Sequence, residues 1–224
     1  MPTTTLIGLD IGQMVDYTAL ALVERTQEVA RHPHETPRAD WRPLAESHVH
    51  PSPASYVVRH LQRFELHTSY PDIVTRVCAL LQRPELQGYP VTLLLDVTGV
   101  GRGILDMFRA AQVRPKAVTI HGGQATTMQG HAYHVSKRDL VYSLTSLSQA
   151  RPVRLALGER LPFAAAVRQE MQTFTAKIHP ETAHESFSAW REQAHDDLLL
   201  ALALCTWWGE TRGHLRGGVL PIRF

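Results

Sequence analysis

Apolar positions near the start of the chain come in short runs separated by polar turns. Leu6 to Asp10 is a strand-length run ending in an acid, and Thr18 to Glu24 is a second one. The polar stretch from Gly12 to Asp16 between them predicts a β-hairpin. In Tyr56 to Phe64, Val57, Val58, Leu61 and Phe64 fit a strand or a helix; a strand extends the hairpin to a three-stranded meander. Ser69-Tyr70-Pro71-Asp72 has a capping serine and a first-turn proline, and Ile73, Val77, Leu80 and Leu81 continue it as an amphipathic helix. Val91 to Asp96 is the clearest strand. A turn at Thr98 to Gly103 leads to a helix at Ile104 to Ala111, and Lys116 to Ile120 is the next strand. Ser136 caps a helix reaching Gln149, with Leu140, Leu144 and Leu147 on one face. Leu161 to Met171 is helical, Thr173 to Ile178 and Ser186 to Trp190 pair as a late hairpin, and His195 to Gly209 is a closing helix. That last segment is apolar nearly all round, the mark of a buried helix.

Antiparallel strands followed by strands reached through helices predict an α/β fold, a mixed sheet with helices on both faces. The expected organisation is one domain over residues 1–211 and a loosely held basic tail over 212–224. A long polar loop, rich in proline and histidine, spans residues 26–53. The polar segment from Gln124 to His134 reads as a mobile loop, with histidines at the surface.

Composition narrows the function. The formal net charge is +2 in 224 residues, so nucleic-acid binding has to come from a local patch. Two distant cysteines, Cys78 and Cys205, supply neither a disulfide framework nor a thiolate metal cluster. No apolar run reaches the ~18 residues of a membrane span, and no signal peptide is evident, so a cytoplasmic protein is expected. The chain has no phosphate-loop motif, no paired-cysteine motif and no H-E-x-x-H. Gly99, Gly101 and Gly103 have the wrong spacing for a dinucleotide fingerprint.

The acids carry the candidate chemistry. Asp10 and Asp96 each end a strand, and Asp196 and Asp197 open the buried helix. Strand ends and helix starts both border the crevice where α/β proteins place their sites. Carboxylates gathered there repel unless a cation neutralises them, and oxygen ligands without cysteine suit Mg²⁺ or Mn²⁺. Two such ions activate water and steady the leaving oxygen in phosphodiester cleavage. The plainer reading makes the strand-end acids turn formers and the helix acids caps, and spacing alone does not separate the two.

The words around the acids add a resemblance. Gly-Leu-Asp10-Ile-Gly-Gln-Met-Val-Asp16-Tyr-Thr-Ala-Leu and Leu-Leu-Leu-Asp96-Val-Thr-Gly-Val-Gly-Arg-Gly resemble segments of the nuclease domain of bacteriophage large terminases. Ser-Lys137-Arg138-Asp-Leu-Val and His195-Asp196-Asp197-Leu-Leu-Leu-Ala-Leu are similar to two later segments of that family, in the same order. The resemblance implies an RNase H-like fold and a two-metal endonuclease that cuts concatemeric double-stranded DNA during phage packaging, inside the bacterial host. It makes Asp10, Asp96 and either Asp196 or Asp197 the catalytic metal ligands, with Asp16 near the metals and His195 behind them. An ATPase motor precedes this domain in large terminases and does not precede it here. That leaves a free-standing nuclease, a trimmed segment, or a motor on a separate chain. A separate motor, the small terminase subunit and the portal protein are the implied partners.

Duplex binding requires cations at the mouth of the crevice. Arg102, directly after the Asp96 strand, and Lys137 and Arg138 are the candidates, with the Arg38–Arg42 loop and the Arg212–Arg216 tail further off. Trp207 and Trp208 are expected in the core. Two other expectations compete with a duplex endonuclease: a junction or RNA–DNA hybrid nuclease on the same fold, and a non-catalytic packaging-assembly module.

Overall fold

A computed structural model describes residues 3–13, 16–27, 52–123, 125–129, 132–177 and 196–212. The described strands form one eight-stranded mixed sheet. Strands β1 (Thr3–Asp10), β2 (Ala19–Thr26) and β3 (Ser55–Arg63) form the antiparallel meander. Strand β4 (Val91–Asp96) runs parallel to β1, and β5 (Lys116–His121) runs parallel to β4. Beyond β5 lie β7 (Ala132–Ser136) and then β6 (Thr127–Gln129), while the two-residue β8 (Leu155–Ala156) extends the β3 edge. The order β3-β2-β1-β4-β5, with only the meander antiparallel, is the RNase H-like arrangement.

Alternation along the strands divides the core into two layers. Ile7, Leu9, Leu20, Leu22, Leu93 and Leu95 pack with α1 (Tyr70–Leu81) and α2 (Gly101–Ala110) on one face. On the other, Leu6, Ala19, Ala21, Val58, Leu61 and Leu94 meet α3 (Lys137–Gln149), α4 (Ala164–Lys177) and α5 (Asp197–Arg212). Every residue from Leu198 to Cys205 in α5 is buried, because sheet and helices enclose it on all sides. It lies so close to β1 that a Cβ on Gly8 would overlap the Ala201 carbonyl. Ser69 and Ser136 cap α1 and α3 as expected, accepting from the amides of Asp72 and Asp139.

Three expectations need correction. The first half of the late hairpin, from Thr173, is instead the continuation of α4, because Val167 and Phe174 lie two turns apart on one helical face and both reach the core. Its second half, Ser186 to Trp190, lies outside the described residues. The expected loop from Gln124 to His134 contains β6 and the start of β7. Tyr133 and Val135 alternate into the core there, and Tyr133 stands edge-on to Trp207 and Trp208 at 6.0 and 5.2 Å. Helix α2 begins at Gly101 rather than Ile104. Gly101 permits this, since a Cβ there would meet the Asp96 carbonyl. Most of the 26–53 loop and all of the tail beyond Arg212 lie outside the described residues.

Candidate active site

The site is a row across four strands. Leu9 pairs with Leu95 in the parallel β1–β4 ladder, so Asp10 and Asp96, one residue further on, end adjacent strands side by side. Asp10 is opposite Ala19 on β2, and Ala19 is opposite Arg63 on β3. Asp10 follows Leu6 and Gly8, and Asp96 follows Leu94, in the alternation facing α5. Arg63 reaches this face because β3 carries one extra residue opposite the Leu22–Val23 step. Without that bulge, the side chain at 63 would point to the opposite layer. The small Ala19 between Asp10 and Arg63 is wholly buried.

Asp10 and Asp96 are both buried and hydrogen-bonded to each other. The Asp10 carboxyl is pushed well above the usual carboxylate range, first by burial and then by the negative charges of Asp96, Asp196 and Asp197. Both acids are raised, so the pair resists carrying two negative charges at once. Burial also raises Asp96, against the hydrogen bonds from Thr98 and Asp10 and the charge of Lys137, which favour its ionised form. Asp96 Oδ1 accepts from the Thr98 amide at 2.8 Å and from the Thr98 hydroxyl at 2.5 Å. The same hydroxyl oxygen accepts from the Ile120 amide at 2.9 Å, which ties the Asp96 turn to β5.

The two acids opening α5 have separate environments. Asp197 is buried, and Arg63 grips both its oxygens, Nε donating to Oδ2 at 2.6 Å and a terminal nitrogen to Oδ1 at 3.2 Å. That guanidinium also bonds Glu170 Oε1 of α4 at 2.5 Å and lies 5.2 Å from the centre of the Tyr17 ring. The other Glu170 oxygen accepts from the Leu199 amide at 2.8 Å, satisfying one of the unpaired donors in the first turn of α5. Burial pushes the Glu170 carboxyl up to about 7; Asp197 and Asp196 add to the rise, and the Leu199 amide and Arg63 oppose it. Asp196, with 30% of its side chain exposed, accepts from Lys137 Nζ through Oδ2 at 2.5 Å. Lys137 also lies 5.8 Å from the centre of the Phe174 ring.

Of the four principal acids predicted from the sequence, Asp96, Asp196 and Asp197 all lie near enough to Asp10 for their charges to act on it. Asp16 is set apart from them, exposed in the β1–β2 turn with its amide donating to the Gln13 carbonyl. His195 lies outside the described residues. Arg102 and Arg138 are exposed on the first turns of α2 and α3. Arg63, Glu170 and Thr98 were missed. A strand-end arginine whose facing depends on a bulge carries no period-two signal, and Glu170 reads as an ordinary helix-surface acid.

The donor set tests the cation expectation. Two buried carboxylates in contact are the hard oxygen donors that Mg²⁺ or Mn²⁺ takes, and binding a cation would require both to be ionised. Among the described residues, no three carboxylate, histidine or cysteine groups converge closely enough to hold a metal ion. Asp196 and Asp197 turn instead to Lys137 and Arg63. The donors suit a hard cation in chemistry, and a third ligand would require one of these ion pairs to open.

No protein-family model matches the chain, and no curated protein sequence matches it. The chain is similar to a solved structure of the human cytomegalovirus terminase nuclease domain, soaked in manganese, with a TM-score of 0.47 and 12% sequence identity. That match covers 92% of this chain and 84% of the other. Among the described residues, no helix is long and apolar enough to cross a membrane.

Proposed function

We propose that the protein is a divalent-metal-dependent endonuclease that hydrolyses phosphodiester bonds of double-stranded DNA, as the terminase nucleases it resembles in sequence do during genome packaging. One observation carries this reading. Asp10 and Asp96 are buried in contact at the ends of adjacent parallel strands, and a third and fourth acid arrive there on α5. Such a constellation costs stability in itself, and the expected compensation is function.

Asp10, Asp96 and an acid from the start of α5 would hold Mg²⁺ or Mn²⁺, two ions in the complete site. The ions would supply a water made nucleophilic at neutral pH and charge stabilisation for the leaving oxygen. Thr98 keeps Oδ1 of Asp96 occupied and would leave Oδ2 for a cation. Arg102 and Arg138 bind backbone phosphates, which positions the duplex without reading bases. A bacteriophage source, a separate ATPase motor, the small terminase subunit and the portal protein belong to the same proposal.

The test is cleavage of supercoiled plasmid in Mn²⁺ or Mg²⁺ against a chelator, with wild type beside Asp96→Asn. Metal-dependent nicking and linearisation that fall at least about a hundredfold in the variant are expected. Faster cutting of branched or hybrid substrates than of linear duplex would replace the substrate assignment. Absence of cleavage in either metal, with retained binding to a packaging protein, would make the chain an assembly module.

A further inference from the structure

The two adjacent acids at the start of α5 are held in opposite ways, and this separates their roles. Both oxygens of Asp197 are committed to Arg63, whose guanidinium also holds Glu170, which in turn bonds the Leu199 amide. These contacts join β3, α4 and the first turn of α5. Both carboxyl side chains in the set are 7% exposed, and the Arg63 side chain is 20% exposed. Pulling Asp197 toward a cation would leave Arg63 facing Glu170 alone and break a buried bidentate pair, a change far costlier than losing a surface contact. Asp196 accepts through Oδ2 from one primary ammonium on a flexible stem. Asp196 is 30% exposed against 7% for Asp197, and exchanging its ammonium partner for a divalent cation opens a single contact rather than a bidentate pair. Asp196 also acts on Asp10 more strongly than Asp197 does.

We propose that Asp196 is the α5 acid that binds the catalytic cation, in exchange with Lys137, and that Asp197 is a strut held by the positioning residues Arg63 and Glu170. The assignment rests on the metal-dependent nuclease reading and refines it. Lys137 competes with the metal for Asp196, and Arg63 sets where α5 begins over the Asp10–Asp96 pair.

The two ion pairs respond oppositely to removal of their cations, and this can be read without activity. Mn²⁺ affinity is measured by calorimetry and by the metal-induced rise in melting temperature for wild type, Asp196→Asn, Asp197→Asn, Lys137→Met, Arg63→Met and Arg63→Lys, with plasmid cleavage alongside. Asp196→Asn is expected to weaken Mn²⁺ more than tenfold while the metal-free melting temperature is kept. Asp197→Asn and Arg63→Met should lower that temperature and change Mn²⁺ affinity less than about threefold, with Arg63→Lys recovering part of the loss. Lys137→Met should tighten Mn²⁺ severalfold, because a competitor is gone. If Asp197→Asn does not fold, the Lys137→Met and Arg63→Met pair decides alone. Tighter Mn²⁺ binding in Arg63→Met with none in Lys137→Met would overturn the assignment by making Asp197 the ligand, and equal losses in the two Asn variants would overturn the division of labour. A wild type that binds no Mn²⁺ and cuts no DNA would instead overturn the nuclease reading itself.

Discussion

Asp10 is where the site works against the fold. Its carboxyl is raised because ionising it means placing a charge in a buried position among three other acids. An acid raised in the folded state contributes stability that is present below its ordinary range and is lost as pH rises through the raised value. Metal-free protein should therefore lose stability as pH climbs above the ordinary carboxylate range. Asp10→Asn removes this term, because a carboxamide can donate to Asp96 as the protonated acid does. In chelator, its melting temperature should exceed that of wild type at pH 8, with the difference closing toward pH 4. A wild-type advantage at pH 8 would sink the argument. Cleavage should be lost in the same variant, so the residue trades stability for activity. Asp10 and Asp96 were legible because a strand-end acid after an apolar run is local information. Thr98 was not marked out, since an Asp-x-Thr turn is common and its hydroxyl acquires its second role only when β5 brings the Ile120 amide beside it.

At the level of elements, α5 organises the site, and both its ends are fastened. Arg63, Glu170 and Lys137 hold the start. At the other end, Arg25 donates to the Gly209 carbonyl at 3.1 Å, while Tyr56 and Arg154 both donate to Glu210 at 2.7 Å. Cations beside the last carbonyls also complement the negative end of the helix dipole. Between the ends, the helix lies against β1 at Gly8, where there is no room for a methyl group. Gly8→Ala should force the helix away from the strand, lowering stability by roughly 1–3 kcal/mol. Because Asp10 is two residues on and Asp196 rides with the helix, Mn²⁺ affinity should fall with it. Differential scanning calorimetry with and without Mn²⁺ checks both, and an unchanged melting temperature would show that the close approach is not required. The burial of α5 could be read from its uninterrupted apolar run, and the caps of α1 and α3 from their serines. The bulge in β3 could not be read, because one extra residue leaves the composition of a strand unchanged while reversing which face its end presents. The α4 continuation was obscured because Thr173-Phe174-Thr175 alternates polar and apolar residues like a strand over three positions. Helical spacing emerges only with Val167 included.

For the whole molecule, the meander and its parallel extension were legible because each main strand is a separate apolar run, and the handedness and connection rules leave few ways to join them. The sheet edges were not. Strand β6 has three residues and β8 has two, too short to display a period, and both exist because a longer strand offers a free edge. Charge is the remaining global property, and it limits how this fold can hold DNA. A formal net charge of +2 creates no field that would draw a duplex to the surface as a whole, and the crevice itself is acidic. Affinity must come from a few cations around the rim, and each phosphate neutralised contributes about 0.9 to the slope of log affinity against log salt. Contacts limited to Arg102, Arg138 and two or three neighbours predict a slope of about 3.6 to 4.5 in magnitude. Arg102→Ala with Arg138→Ala should reduce it by about 2 and weaken all sequences alike. Binding of a catalytically silent variant such as Asp96→Asn to a short duplex, followed by fluorescence anisotropy at several salt concentrations, measures both quantities. A slope of about 8 or more, unaffected by the double substitution, would place the duplex on a different surface and detach DNA binding from the Asp10–Asp96 crevice. A slope near 4 that falls with the two arginines would make the weak intrinsic field a working property. On the proposed nuclease reading, those few cations would then hold the duplex weakly beside Asp10 and Asp96.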